Sequence, residues 1–162
     1  MDSSEYRRGQ PCWYRRDSVG PSAVNDACLI KSSIMVLLRQ YFSDHADYGQ
    51  LMELFQEAAF RTELGQLAAD MTTSSKCNLA EMTMEQYEFT AENKTAFYSF
   101  YLPVSLALQY LQCATEKNLE IVREVLLHME WYFQVQDDYI DVLGNRKLRR
   151  LEQTFEITNA RR

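Results

Sequence analysis

The chain has 162 residues, with 17 Lys and Arg against 23 Asp and Glu and a formal net charge of −6. A hydrophobic share of 46% and a charged share of 25% exclude wholesale disorder, and the acidic balance gives no electrostatic footing for a dedicated nucleic-acid binder. Only five Gly and three Pro punctuate it, about half the average share, so turns are few and elements long, which points to helices.

Residues 1–20 are polar and turn-rich, with Gly9, Pro11 and Gly20 as breaks and Trp13 and Tyr14 needing something to dock on. Helical spacing then runs from Ala23 to about Phe42 through Ala27, Ile30, Ile34, Leu37, Leu38 and Tyr41. A break over Ser43–Gly49 precedes a second helix, Gln50 to about Met71, with Leu51, Leu54, Phe55, Ala58, Ala59 and Leu64 on one side. Met71–Asn78 reads as a loop. A third helix is predicted from Thr83, where Thr83-Met-Glu-Gln86 fits a capping box, and it runs to about Cys113 with bends near Asn93 and Pro103. The last helix spans about Leu119–Leu143, with Val122, Val125, Leu126, Met129 and Phe133 as its stripe and Gly144 as its stop. No strand alternation and no repeat competes with this pattern. Four or five antiparallel helices follow as the architecture.

Cys12, Cys28, Cys77 and Cys113 lie too far apart for a zinc or redox motif, so reduced thiols in a cytoplasmic protein are expected. No run approaches the roughly 18 uninterrupted apolar residues of a membrane span. Charge is uneven: residues 146–162 hold six basic and two acidic residues, leaving residues 1–145 with 11 basic and 21 acidic. The basic tail is either an interaction arm or a solvated segment.

Three stretches could carry chemistry. In Gln134-Val-Gln-Asp137-Asp138-Tyr-Ile-Asp141 the three carboxylates share one helix patch, with Gln134 one turn earlier. Such a patch is either a solvated acidic face or a platform for magnesium, which takes oxygen ligands and is shared with substrate phosphates. Tyr132, Phe133, Val135, Tyr139 and Ile140 interleave the acids, which predicts a helix buried on most sides whose acids need a partner. Arg7-Arg8-Gly9-Gln10 sets paired guanidiniums in a Gly-containing loop that can hold a diphosphate. Lys94-Thr95 beside Phe97-Tyr98-Ser99-Phe100-Tyr101 joins a cation and a hydroxyl to an aromatic wall; the same wall could equally be core.

Four motifs, Arg7–Arg15, Thr62–Gln66, Lys94–Pro103 and Phe133–Asp141, occur in the order found in farnesyl diphosphate synthases, head-to-tail trans-prenyltransferases that residues 1–144 resemble. The resemblance implies an all-α isoprenoid-synthase bundle around a central cavity, here partial, with residues 1–144 as the central part of a prenyltransferase domain and 145–162 as a divergent basic tail. It implies magnesium-assisted condensation of an allylic diphosphate (dimethylallyl or geranyl) with isopentenyl diphosphate to give farnesyl diphosphate, in a homodimer. By the same resemblance Asp137, Asp138 and Asp141 are metal ligands, Asp137 foremost, and Asp2 is the third carboxylate of a first aspartate-rich motif. Arg7 and Arg8 bind diphosphate, Lys94, Thr95 and Gln134 contact the allylic diphosphate and its carbocation, and Tyr98 lies nearby.

The chain departs from the family in opening on the last two positions of the first aspartate-rich motif, in having Ala69 where an Asp is usual with Asp70 one place on, and in diverging abruptly after Gly144. Truncation at both ends is the expectation. It leaves two readings open: a prenyl diphosphate synthase, or a catalytically silent homologue that forms a heterodimer with a full-length one. A terpene synthase is the lesser option, because the intact Arg-Arg-Gly-Gln stretch serves isopentenyl diphosphate.

Overall fold

The computed structural model describes residues 4–7, 9–73 and 83–143, the side chains of Thr73 and of residues 141–143 excepted. Two compact units divide between His45 and Ala46, inside the break expected over Ser43–Gly49.

The first unit opens with a hairpin that the sequence did not announce. Strands β1 (Tyr6–Arg7) and β2 (Gln10–Pro11) pair antiparallel, Tyr6 opposite Pro11 and Arg7 opposite Gln10. Gly9 turns the chain at φ +72, a conformation L side chains rarely adopt. The aromatics that follow do find partners. Trp13 Nε1 donates to Asp26 Oδ2 at 2.7 Å, the Tyr14 hydroxyl donates to the Ser4 carbonyl at 2.8 Å, and the Arg16 guanidinium lies 5.1 Å from the Trp13 ring centre. A 3-10 turn at Gly20–Ser22 leads into α1, Ala23–Phe42, whose bounds are those read from periodicity. The expected stripe is not buried, however. Leu38 is the buried side chain of α1, while Ile30, Ile34, Leu37 and Tyr41 are exposed. By length and a mean hydropathy of 1.2, Gly20–Phe42 meets the requirement for a membrane-crossing helix. It also carries Asp26, Lys31 and Arg39, each costing about 2.5–3.5 kcal/mol at the centre of a bilayer.

The second unit is wholly helical among the described residues. It comprises α2 (Tyr48–Thr73), α3 (Met84–Ala91), a π-helical stretch (Glu92–Tyr101), α4 (Leu102–Tyr110) and α5 (Glu116–Leu143). The predicted capping box starts α3: Gln86 N–H donates to Thr83 Oγ1 at 3.2 Å and Thr83 N–H to Gln86 Oε1 at 3.1 Å. The bends expected near Asn93 and Pro103 are instead a change of winding. Wide π turns span Asn93, the Leu102 N–H bonds the Phe97 carbonyl five residues back, and Pro103 follows directly, in the first turn of α4.

Ala58 of α2, Phe97 and Tyr101 of the π stretch and Leu102 of α4 form the core, with Leu54, Phe55, Leu106, Val122 and Leu127 packed on it. Phe97 and Tyr101 rings lie 4.9 Å apart, and the Arg61 guanidinium covers Phe97 at 4.6 Å while pairing with Glu57 at 2.8 Å. Gly65 lets α2 approach the π stretch closely at Asn93 and Lys94.

The α5 expectation needs correction. Tyr132, Phe133 and Tyr139 are exposed, as are Val125 and Met129 of the predicted stripe. The face α5 turns to the π stretch, α3 and α4 runs instead through Val122, Leu127, Glu130, Gln134 and Asp138. The described residues cover one side of α5 only, so acids interleaved with aromatics did not mean burial all round.

The link from α4 to α5 is a Schellman turn. The Cys113 N–H reaches the Leu108 carbonyl at 2.8 Å and the Gln112 N–H the Gln109 carbonyl at 3.0 Å, with Gln112 at φ +55 where Gly is usual. Gln112→Gly should therefore raise stability by about 0.5–1 kcal/mol, read as a higher urea midpoint; an unchanged or lower midpoint would count against this strain. Thr115 then caps α5, its Oγ1 accepting from the Asn118 N–H at 3.2 Å.

Candidate functional site

In the second unit, the π stretch positions Lys94 and Thr95, both half-buried, and α5 lies against the same stretch, with the Phe100 and Phe133 rings 5.9 Å apart. Of the predicted α5 residues, Asp137 is exposed and Asp138 half-buried. Gln134 Nε2 donates to Asp138 Oδ1 at 3.1 Å, so this amide braces a carboxylate one turn on. The other Asp138 oxygen, Oδ2, accepts from the Tyr87 hydroxyl at 2.6 Å. Asp141 lies on the described helix, but its side chain falls outside the described residues.

Tyr87 is the residue that sequence reading missed. It sits on α3, one turn after the capping box, and meets Asp138 across 51 residues of sequence. No local spacing signals such a pair. Burial, the hydrogen bond to Asp138 and the charges of Asp138, Glu130 and Asp137 push the Tyr87 phenol above its usual range, so it stays a donor. Tyr87→Phe removes one hydrogen bond to a charged acceptor and should cost about 1–2 kcal/mol in urea unfolding. Made in an Asp138→Ala background, Tyr87→Phe should lose most of that cost, whereas an unchanged cost would show that the two residues do not couple.

Upstream of these residues, Gln66 Nε2 donates to Asp70 Oδ1 at 2.8 Å on α2, so the acid displaced by one position is held on the helix by its own neighbour. In the first unit, Arg7 is an exposed residue of β1. Arg8, Asp2, residues 74–82 and residues 144–162, including Gly144 and the basic tail, lie outside the described residues.

Among the described residues no three His, Cys, Asp or Glu side chains are arranged to hold a metal ion. The donor chemistry at the end of α5 nevertheless fits a hard cation, with Asp137 exposed beside an Asp138 already oriented by Gln134 and Tyr87. Cys12, Cys28 and Cys113 are free thiols.

Helical layout and site together define an all-α bundle of the isoprenoid-synthase type. Residues 1–150 match the profile of the polyprenyl synthetase family, and the chain belongs to that family. It is 44% identical over 147 residues to the farnesyl pyrophosphate synthase of Schizosaccharomyces pombe, covering 90% of this chain and 42% of that protein. It is 48% identical over 147 residues to the farnesyl pyrophosphate synthase vrtD of Penicillium aethiopicum, with 90% and 42% covered. The solved T. brucei farnesyl diphosphate synthase in complex with homorisedronate superposes with a TM-score of 0.83 at 32% identity, over 91% of this chain and 45% of that one. The chain thus spans less than half the length of these relatives. None of these comparisons favours the silent-homologue reading.

Proposed function

We propose that this chain carries part of the active site of a farnesyl diphosphate synthase. The reaction joins an allylic diphosphate, dimethylallyl or geranyl, head-to-tail with isopentenyl diphosphate. The observation that supports it most directly is the Gln134–Asp138–Tyr87 brace beside Asp137, on the helix that packs against the stretch bearing Lys94 and Thr95. When bound, magnesium would draw electron density from the departing diphosphate and ease its loss. Asp137, Asp138 and Asp141 would hold it. Lys94 supplies a fixed positive charge, and Thr95 a hydroxyl, for a diphosphate lying over the π stretch, while Arg7 and Arg8 supply bidentate donors for a second. Tyr98, exposed on the same π stretch as Lys94 and Thr95, and Gln134 on α5 are the groups assigned to the developing positive charge. The enzyme is assigned to the cytoplasm and to a homodimer on the same family ground.

The test is calorimetric titration of the chain with geranyl diphosphate, with and without magnesium. The expected result is magnesium-dependent binding that Asp137→Ala and Lys94→Ala each weaken about tenfold or more. Absence of magnesium-dependent binding, or binding indifferent to both substitutions, would overturn the proposal.

A further inference from the structure

Glu130 takes no part in the diphosphate chemistry, yet it is the most anomalous side chain in the second unit. It is fully buried on α5, and both carboxylate oxygens are without a hydrogen-bond partner. A buried carboxylate left this way is costly, and the cost is met only by neutralisation or by a counter-charge. The residue lines a cavity of about 370 Å³ between α3, the π stretch and α5, together with Glu88, Glu92, Ala96, Leu127, His128 and Trp131. Every carboxylate on that wall adds the same sign. Arg61, whose guanidinium lies 3.8 Å from Glu92, is engaged with Glu57. His128 donates through Nδ1 to the Glu124 carbonyl of its own helix. The cavity therefore combines a negative field with an apolar and aromatic wall of Ala96, Leu127 and Trp131.

We propose that this cavity binds an organic cation, a primary ammonium or guanidinium on a short alkyl chain, whose charge pairs with Glu130 while its carbons lie against Leu127 and Trp131. An organic cation suits the site better than a metal ion, since no three-ligand cluster exists among the described residues and half the wall is apolar. The Trp131 ring adds cation–π attraction that a hydrated metal ion would not use.

The test is a titration of the 162-residue chain with propylammonium or propylguanidinium chloride at constant ionic strength, following the Trp131 indole N–H by NMR. Saturable shifts with millimolar midpoints, about the affinity so small a ligand can reach, are expected for both cations and not for propanol. Glu130→Gln should weaken binding about tenfold or more, whereas Glu120→Gln, outside the cavity, should leave it unchanged. If Glu130→Gln does not fold, Glu88→Gln takes its place, with a weakening of about threefold or more expected from the reduced field. No saturable shift, an equal response to propanol, or binding indifferent to the cavity substitutions would each overturn the proposal.

Discussion

Gly65→Ala should unfold at a clearly lower urea concentration than the parent chain, although the substitution improves helix propensity. Alanine gains about 1 kcal/mol over glycine inside a helix, so local preference alone would raise stability. Packing decides the opposite sign. A Cβ at Gly65 would stand 2.7 Å from both the Asn93 carbonyl carbon and Lys94 Cα, and closer still to the Lys94 amide nitrogen. All three are backbone atoms, which cannot swing aside as the end of a flexible side chain would. Relief requires α2 to move off the π stretch, which loosens the contact of Ala58 and Phe55 with Phe97. The net cost is about 2–4 kcal/mol. Because the pressure falls on Asn93 and Lys94, the same substitution should weaken magnesium-dependent geranyl diphosphate binding even where the chain stays folded. A midpoint equal to or above the parent's would show that the crossing is looser than these contacts describe.

The second large effect is a pH dependence that belongs to Glu130. Burial raises its carboxyl from 4.5 to about 7. Between those values the folded chain holds a proton that the unfolded chain has released, so stability falls as pH rises and levels off above about pH 7. The span corresponds to about 3 kcal/mol. Other ionisable groups share the cavity wall, Glu88 on α3, Glu92 on the π stretch and His128 on α5, and the Glu130 charge also acts on Tyr87 along with those of Asp137 and Asp138. Comparing the parent with Glu130→Met separates their background. The variant should be more stable at pH 8 by about 3 kcal/mol, and the difference should shrink as pH falls toward 4.5. Urea unfolding across that range reads it, and a difference that stays flat would assign the carboxyl a partner.

Helix bounds were largely legible in the sequence because they depend on neighbours along the chain. Ala23–Phe42 followed from spacing, and Thr83 with Gln86 announced the start of α3 through a local hydrogen-bond pair. Which side of a helix is buried depends on other elements, and there periodicity misled. The apolar residues of α5 suggested a stripe through Val125, Met129 and Phe133, whereas the packed line runs through Glu130, Gln134 and Asp138. A Glu in a buried position contradicts the premise of such pattern reading, so no periodic rule would have chosen it. The candidate site was legible in residue types, since Lys94, Thr95, Gln134 and the aspartates were singled out. Its wiring was not: Gln134 and Tyr87 serve Asp138 directly, and the Tyr87 contact bridges two helices distant in sequence.

The π stretch carries a consequence for insertions and deletions. Each of its turns holds about one residue more than an α turn, so Glu92–Tyr101 stores slack in a helix that is otherwise continuous from Met84 to Tyr110. Removing one residue, Ser99 for example, would let the segment rewind as α-helix with little change in total helix content. It would also swing Lys94 and Thr95 by about 100° relative to Tyr101 and Leu102. Far-ultraviolet dichroism would record an intact helix, while the cation and hydroxyl had gone out of phase with the core that aims them.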